Sequence, residues 1–142
     1  MHMTNEVFSC SLRECNSLDW YGFPEDHRSP HDAWIESIQV LEPSSGDRHE
    51  NRGLEIHIRL LAAYQDGIIE FTYRGVQEYS IHAMRDIAGH GDWLNDEVDV
   101  RRHDTLWHKV TLTNGSFEIE ANEVEYRWTP MPPCPSLVVS DS

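Results

Sequence analysis

The chain reads as a mainly β protein: a single antiparallel β-meander of six or seven strands, curved into a half-barrel or folded into a sandwich, with at most one or two short helices. Three observations carry this reading. Residues 54–75 alternate apolar and polar side chains with the period of two expected of a strand. Residues 106–122 do the same. Each segment is interrupted by a dipeptide, Asp66-Gly67 and Asn114-Gly115, of the kind that reaches the positive φ angles of a type I′ hairpin turn at low cost.

If Asp66-Gly67 closes the first hairpin, Leu60 faces Tyr73, Ala62 faces Phe71 and Tyr64 faces Ile69. The inward set is then Leu54, Ile56, Ile58, Leu60, Ala62 and Tyr64. If Asn114-Gly115 closes the second, Leu112 faces Phe117, Val110 faces Ile119 and His108 faces Ala121. A slip of one residue would turn either apolar set to solvent, so the faces are strongly specified.

The remaining elements follow in order. Residues 1–30 hold an aromatic cluster (Leu18, Trp20, Tyr21, Phe23) bounded by Pro24 and Pro30, expected to lie as a lid across an open end of the sheet. Trp34, Ile38 and Val40 fit one face of a strand ended by Pro43-Ser44-Ser45-Gly46. Trp34, Ile38 and Leu41 also fit a helical stripe, but the β-branched content and short length favour the strand. Asp47–Gly53 is a charged loop, and Val76–Met84 a further strand with a bulge near Gln77-Glu78. Residues 85–104 form a long polar loop, and any helix is confined to 15–30 or 85–97. The apolar parity shifts after Ala121, which calls for a bulge or turn at Asn122-Glu123. The tail from Pro130 to Ser142 is too proline-rich to continue a central strand.

At 142 residues with 39% apolar content this is one domain, residues 1–142, able to bury a sizeable core. Twenty-five acidic residues stand against 11 basic ones, for a net charge of −14, and Lys109 is the only lysine. Such a field repels nucleic acid and speeds encounter with a basic partner. No apolar run approaches the ~20 residues of a membrane span. Met1–Glu14 lacks a secretion-signal pattern, so a cytoplasmic location is expected. The three cysteines (Cys10, Cys15, Cys134) are odd in number and without zinc spacing, which suggests reduced thiols; a Cys10–Cys15 or Cys10–Cys134 bridge is the alternative.

Chemical motifs are sparse. There is no GxSxG elbow, no phosphate loop and no HExxH, so no catalytic residue and no cofactor is assigned. In the polar loop, Trp93 flanked by Asp92, Asp96 and Glu97 has the composition of an interface anchor with a polar rim, and these four are the candidate partner-binding residues. The competing role for Trp93 is to plug the end of the sheet. A second candidate is a small-ligand or metal site in the mouth of the sheet, with enzymatic use, built from His90, Asp92, His103 and His108; the alternative for His108 is a hydrogen-bonded core histidine. A third is a homodimer through the outward apolar patch Leu61, Ala63 and Ile68.

The segments HDAWIESI (31–38), LEIHIRLLAAYQDGIIEFTYRGVQEY (54–79) and HGDWLNDEV followed by WHKVTLTNG (90–115) resemble small bacterial β proteins, among them immunity proteins of polymorphic toxin systems, in which a His-Asp pair precedes a β-meander. The resemblance spans residues 31–128. It implies an acidic intracellular protein that binds another protein, basic in character, and it carries over no catalytic residue.

Overall fold

A computed structural model describes residues 6–84, 89–101 and 104–131. Its main element is a seven-stranded antiparallel sheet. In chain order the elements are β1 (Phe8–Ser11), α1 (Leu12–Asn16), a 3-10 turn (Asp19–Gly22), β2 (Trp34–Leu41), the small β3 (Ser44–Ser45) and β4 (Asn51–Arg52) pair, β5 (Glu55–Leu61), β6 (Gly67–Ala83), β7 (Trp93–Val100), β8 (Leu106–Leu112) and β9 (Gly115–Pro130). The sheet order is β2-β5-β6-β9-β8-β7, with β1 also on β9. The strands are therefore not laid down in simple sequence: the β5–β6 and β8–β9 hairpins meet at the centre through β6 and β9, with β2 and β7 at the ends.

The inner face is as the alternation predicts. Ile56, Ile58, Leu60, Ala62, Ile69, Phe71 and Tyr73 are buried, as are Leu106, His108, Val110, Leu112, Phe117, Ile119 and Ala121. The turn positions differ. In the first hairpin Leu60 pairs with Ile69 and Ile58 with Phe71. The loop spans 63–66, Gln65 takes the positive φ (60°), and Tyr64 is exposed at its tip, stacked on His27. In the second, Leu112 pairs with Gly115 and His108 with Ile119, so the turn is Thr113-Asn114. Both shifts are even in register, so every side chain within the paired strands keeps its face.

The two glycines are used for close approach rather than for turn geometry. A methyl group at Gly67 would land on the Trp128 indole, and one at Gly115 on the His82 carbonyl. Gly75 is different: at φ +65° it packs against Asn122. There the inward sets of β6 and β9 reset together, from Tyr73 to Val76 and from Ala121 to Val124, so the parity shift at Asn122-Glu123 is matched across the ladder. A bulge follows between Val76 and Glu78, as expected from the sequence.

The polar stretch 85–104 contains a strand, not a loop. β7 pairs along β8 from Trp93↔Leu112 to Val100↔Leu106. Its alternation is hidden by a bulge between Trp93 and Asn95 and by an aspartate, Asp96, on the inner face. Its first residues reach across to β2, the opposite end of the sheet order. Trp93 N–H donates to Ala33 C=O (2.8 Å), and Asp32 N–H to Trp93 C=O (2.8 Å). The sheet is thus curled until its two terminal strands touch at one end, without closing into a barrel.

The N-terminal segment covers the inner face, as a lid would, but only Tyr21 of the four cluster residues is fully buried; Leu18 and Phe23 are exposed. Two further features differ from expectation. Residues 8–11 add a strand to β9, and the helix begins at Leu12, upstream of 15–30, with the Ser11 hydroxyl capping Glu14 N–H. Cys10 and Cys15 are bonded as a disulfide rather than reduced, clipping β1 to α1. Among the described residues, no helix is long and apolar enough to cross a membrane.

Gly67→Ala is expected to destabilise the fold by about 2 kcal/mol or more, because the indole above it is itself fully buried and has nowhere to move. Urea denaturation followed by tryptophan fluorescence measures this as a lower midpoint.

Candidate functional site

The polar residues of the inner face converge on one carboxylate. The bulge ahead of Asp96 turns its side chain inward, beside His108 of β8. His108 Nε2 lies 2.7 Å from Asp96 Oδ2 and its Nδ1 lies 2.8 Å from the Tyr73 hydroxyl. Tyr21, from the 3-10 turn, donates its hydroxyl to the same Asp96 oxygen at 2.6 Å. His108 is fully buried, ringed by Phe71, Trp93 and Phe117.

Burial and the Asp96 charge hold the Tyr21 and Tyr73 hydroxyls well above the usual tyrosine range, so both stay protonated. The Tyr73 hydroxyl and the Asp96 carboxylate thus occupy the two ring nitrogens of His108, so each polar atom of the buried imidazole has a partner. The Asp96 carboxylate is met by two buried groups, the Tyr21 hydroxyl and the His108 ring. This is the hydrogen-bonded core histidine of the sequence alternative. Its partners Tyr73 and Tyr21 carried no signal in the sequence, since tyrosines on an apolar face read as core.

The lid is fastened by a second cluster. Arg28 forms a two-point ion pair with Asp26 and lies over the Trp20 ring at 4.6 Å. Tyr126, whose ionisation burial also pushes to higher pH, donates its hydroxyl to the Arg28 carbonyl.

The proposed partner-binding residues separate. Trp93 is 1% exposed and stacks on Phe71 at 5.1 Å, so the indole offers nothing to a partner: it plugs the sheet end. Asp96 points inward; Glu97 is exposed on the outer face opposite Lys109. Asp92 joins the hairpin tip, where its N–H donates to Thr113 Oγ1 and its carbonyl accepts from Thr113 N–H. His90 is at the same tip, its carbonyl bonded to Asn114 N–H. His108 is engaged with Asp96 and Tyr73 instead, and His103 lies outside the described residues. Among the described residues, no three His, Cys, Asp or Glu side chains are grouped to hold a metal. Of the apolar patch, Ile68 is only 7% exposed, between Leu61 and Thr129 in register, while Leu61 and Ala63 are half-buried; it is not an open apolar surface.

Two surface features remain. A cavity of about 180 Å³ at the sheet mouth is lined by Tyr21, Ser29, His31, Trp93 and Asp96. On the outer face, around the second half of β6, another of about 180 Å³ is lined by Glu78, Arg101, Trp107, Glu118 and Glu120. There Glu78 stands directly across the ladder from Glu120, a like-charged pair, and Arg101 lies over the Trp107 ring at 4.5 Å. Around the first half of β6 the outer charges are instead neutralised: Arg59 bridges Glu36 and Glu70, and Arg74 pairs with Glu125.

Two outcomes test the buried network. Tyr21, Tyr73 and Tyr126 keep their protons in the fold past pH 10, where unfolded tyrosines lose theirs. Stability is therefore full below pH 10 and falls above it, by about 1.4 kcal/mol per pH unit for each tyrosine. Urea unfolding between pH 9 and 11 reads the slope, and Tyr73→Phe should remove roughly a third of it. His108→Leu, which strands the Tyr73 hydroxyl and the Asp96 charge, should cost about 3 kcal/mol. Asp96→Asn keeps an acceptor for the buried donors and should cost less in the same titration.

No family model, curated protein or solved structure matches this chain, so the reading of its site rests on its own residues.

Proposed function

We propose that this chain works without catalysis, by binding a basic partner protein through the acidic outer face around Trp107, in the manner of an immunity-type protein. The observation that carries this reading is the set Glu78, Glu118 and Glu120 around an indole already covered by a guanidinium. Opposed carboxylates repel one another, and a cation between them relieves that repulsion. An indole face beside them adds a cation–π contact, worth about 0.5–2 kcal/mol. Arg101, itself 3.5 Å from Asp99, occupies the position that a partner's arginine would take. The net charge of −14 favours the same class of partner by steering.

The ligand-site alternative draws support from the mouth cavity beside Asp96. At about 180 Å³ it is smaller than the roughly 300 Å³ at which ordinary ligand pockets begin. The Asp96 oxygen that faces His108 and Tyr21 is also already used. The protein-binding reading therefore leads.

Pull-down from the source lysate at low salt, with wild type beside Glu118→Gln/Glu120→Gln and Trp107→Ala, tests it. A basic protein should be retained by wild type and by a Glu36→Gln/Glu70→Gln control. Both outer-face variants should bind it at least about tenfold more weakly, close to 1.4 kcal/mol. Retention that is indifferent to these substitutions, or no basic protein retained at all, would count against the proposal.

A further inference from the structure

β6 outruns its neighbour. β5 pairs with it only as far as Arg74, so from Glu78 to Ala83 it has β9 on one side and, among the described residues, no strand on the other. Met84 N–H donates to Asn114 C=O across the β9 side. Alternation along an antiparallel ladder then assigns the even-numbered residues to β9, and leaves the N–H and C=O groups of Tyr79 and Ile81 facing the open edge. The side chains of these two residues lie on the inner face beside Ile119 and Phe117, yet they are 40% and 36% exposed. The edge from Glu78 to Ala83 contains neither a proline nor a lysine, the residues that commonly blunt exposed strands.

We propose that this edge pairs with the same edge of a second copy of the chain, about a two-fold axis through Ser80. The residues of the edge are complementary to themselves in that register. Tyr79 falls opposite Ile81 of the second copy, an aromatic–β-branched pair whose backbone groups are those left free by β9. Glu78 falls opposite His82 of the second copy on the outer face, and the two small Ser80 side chains meet at the axis. Moving the register by two residues in either direction loses the Glu78–His82 pairing and sets Tyr79 against Tyr79 or Ile81 against Ile81. An extended segment of a basic partner would meet Glu78 favourably but would face His82 as well; the chain's own edge answers both. The pairing covers the half-exposed Tyr79 and Ile81 and joins two acidic outer faces into one surface. It uses a different part of the molecule from the Leu61, Ala63 and Ile68 patch.

Sedimentation equilibrium of the full chain, with no partner protein present and at about 150 mM salt to screen the net charge, is the test. A reversible monomer–dimer equilibrium in the micromolar range is expected. Ser80→Lys places two lysines opposite each other at the axis and should weaken it at least about tenfold, with a melting temperature unchanged at dilutions where wild type is monomeric, because Ser80 is exposed. His82→Glu should also weaken it, and Glu78→His/His82→Glu should restore it. A monomer up to several hundred micromolar would overturn the proposal, as would a dimer that persists undiminished in Ser80→Lys, since that dimer must use another face.

Discussion

The pairing of β6 with β9 is the constraint on which the rest of this structure depends. These are the two longest strands, and they run side by side from Gly67↔Pro130 to Ala83↔Gly115. Every other strand of the large sheet, except β2 and β7, is added to one of their edges. The additions are staggered: β5 takes the first half of β6, β1 takes the last part of β9, and β8 takes its first part. A ladder longer than its flanks leaves open stretches. One is the second half of β6. Another is the edge of β9 near Asn122–Val124, between β1 and β8, which opens on a cavity of about 360 Å³ lined also by Arg13 and Arg74. The joint reset at Gly75 and Asn122 keeps such a ladder continuous while both strands change which residues face inward.

The charge distribution follows the same division. On the inner face the Asp96 carboxylate is met by Tyr21 and His108, because an unpaired charge there would cost several kcal/mol. The outer face carries the excess. Around the first half of β6 it is paired with arginines; around the second half Glu118 faces Lys109 across the ladder and Glu78 faces Glu120, beside the Trp107 indole.

Legibility in the sequence tracked how local the determining physics was. Alternation identified the inner face of both hairpins, Tyr64 at the loop tip excepted, because burial on one face imposes a period of two. It failed at β7, where the inward residues are Trp93, Asp96 and Val98 with a bulge between the first two. An aspartate whose partners are His108, Tyr73 and Tyr21 looks, in a linear chain, like a residue of a polar loop. Trp93 invited an interface role for the same reason. Its stacking on Phe71 depends on a strand far away in the chain.

The sequence by itself determined the antiparallel class, the inward-facing residues of β5, β6, β8 and β9, and the acidic balance of the surface. Each of these is set by side-chain chemistry and by the parity of the strand, which neighbouring residues already express. The tertiary structure decided the order of the strands, the exact turns, the Cys10–Cys15 bond, and which aromatic and acidic residues are buried or presented. Gly67 and Gly115 show why. Their dipeptides announce a turn, but their positions are fixed by the Trp128 indole and the His82 carbonyl, which only the folded ladder brings against them.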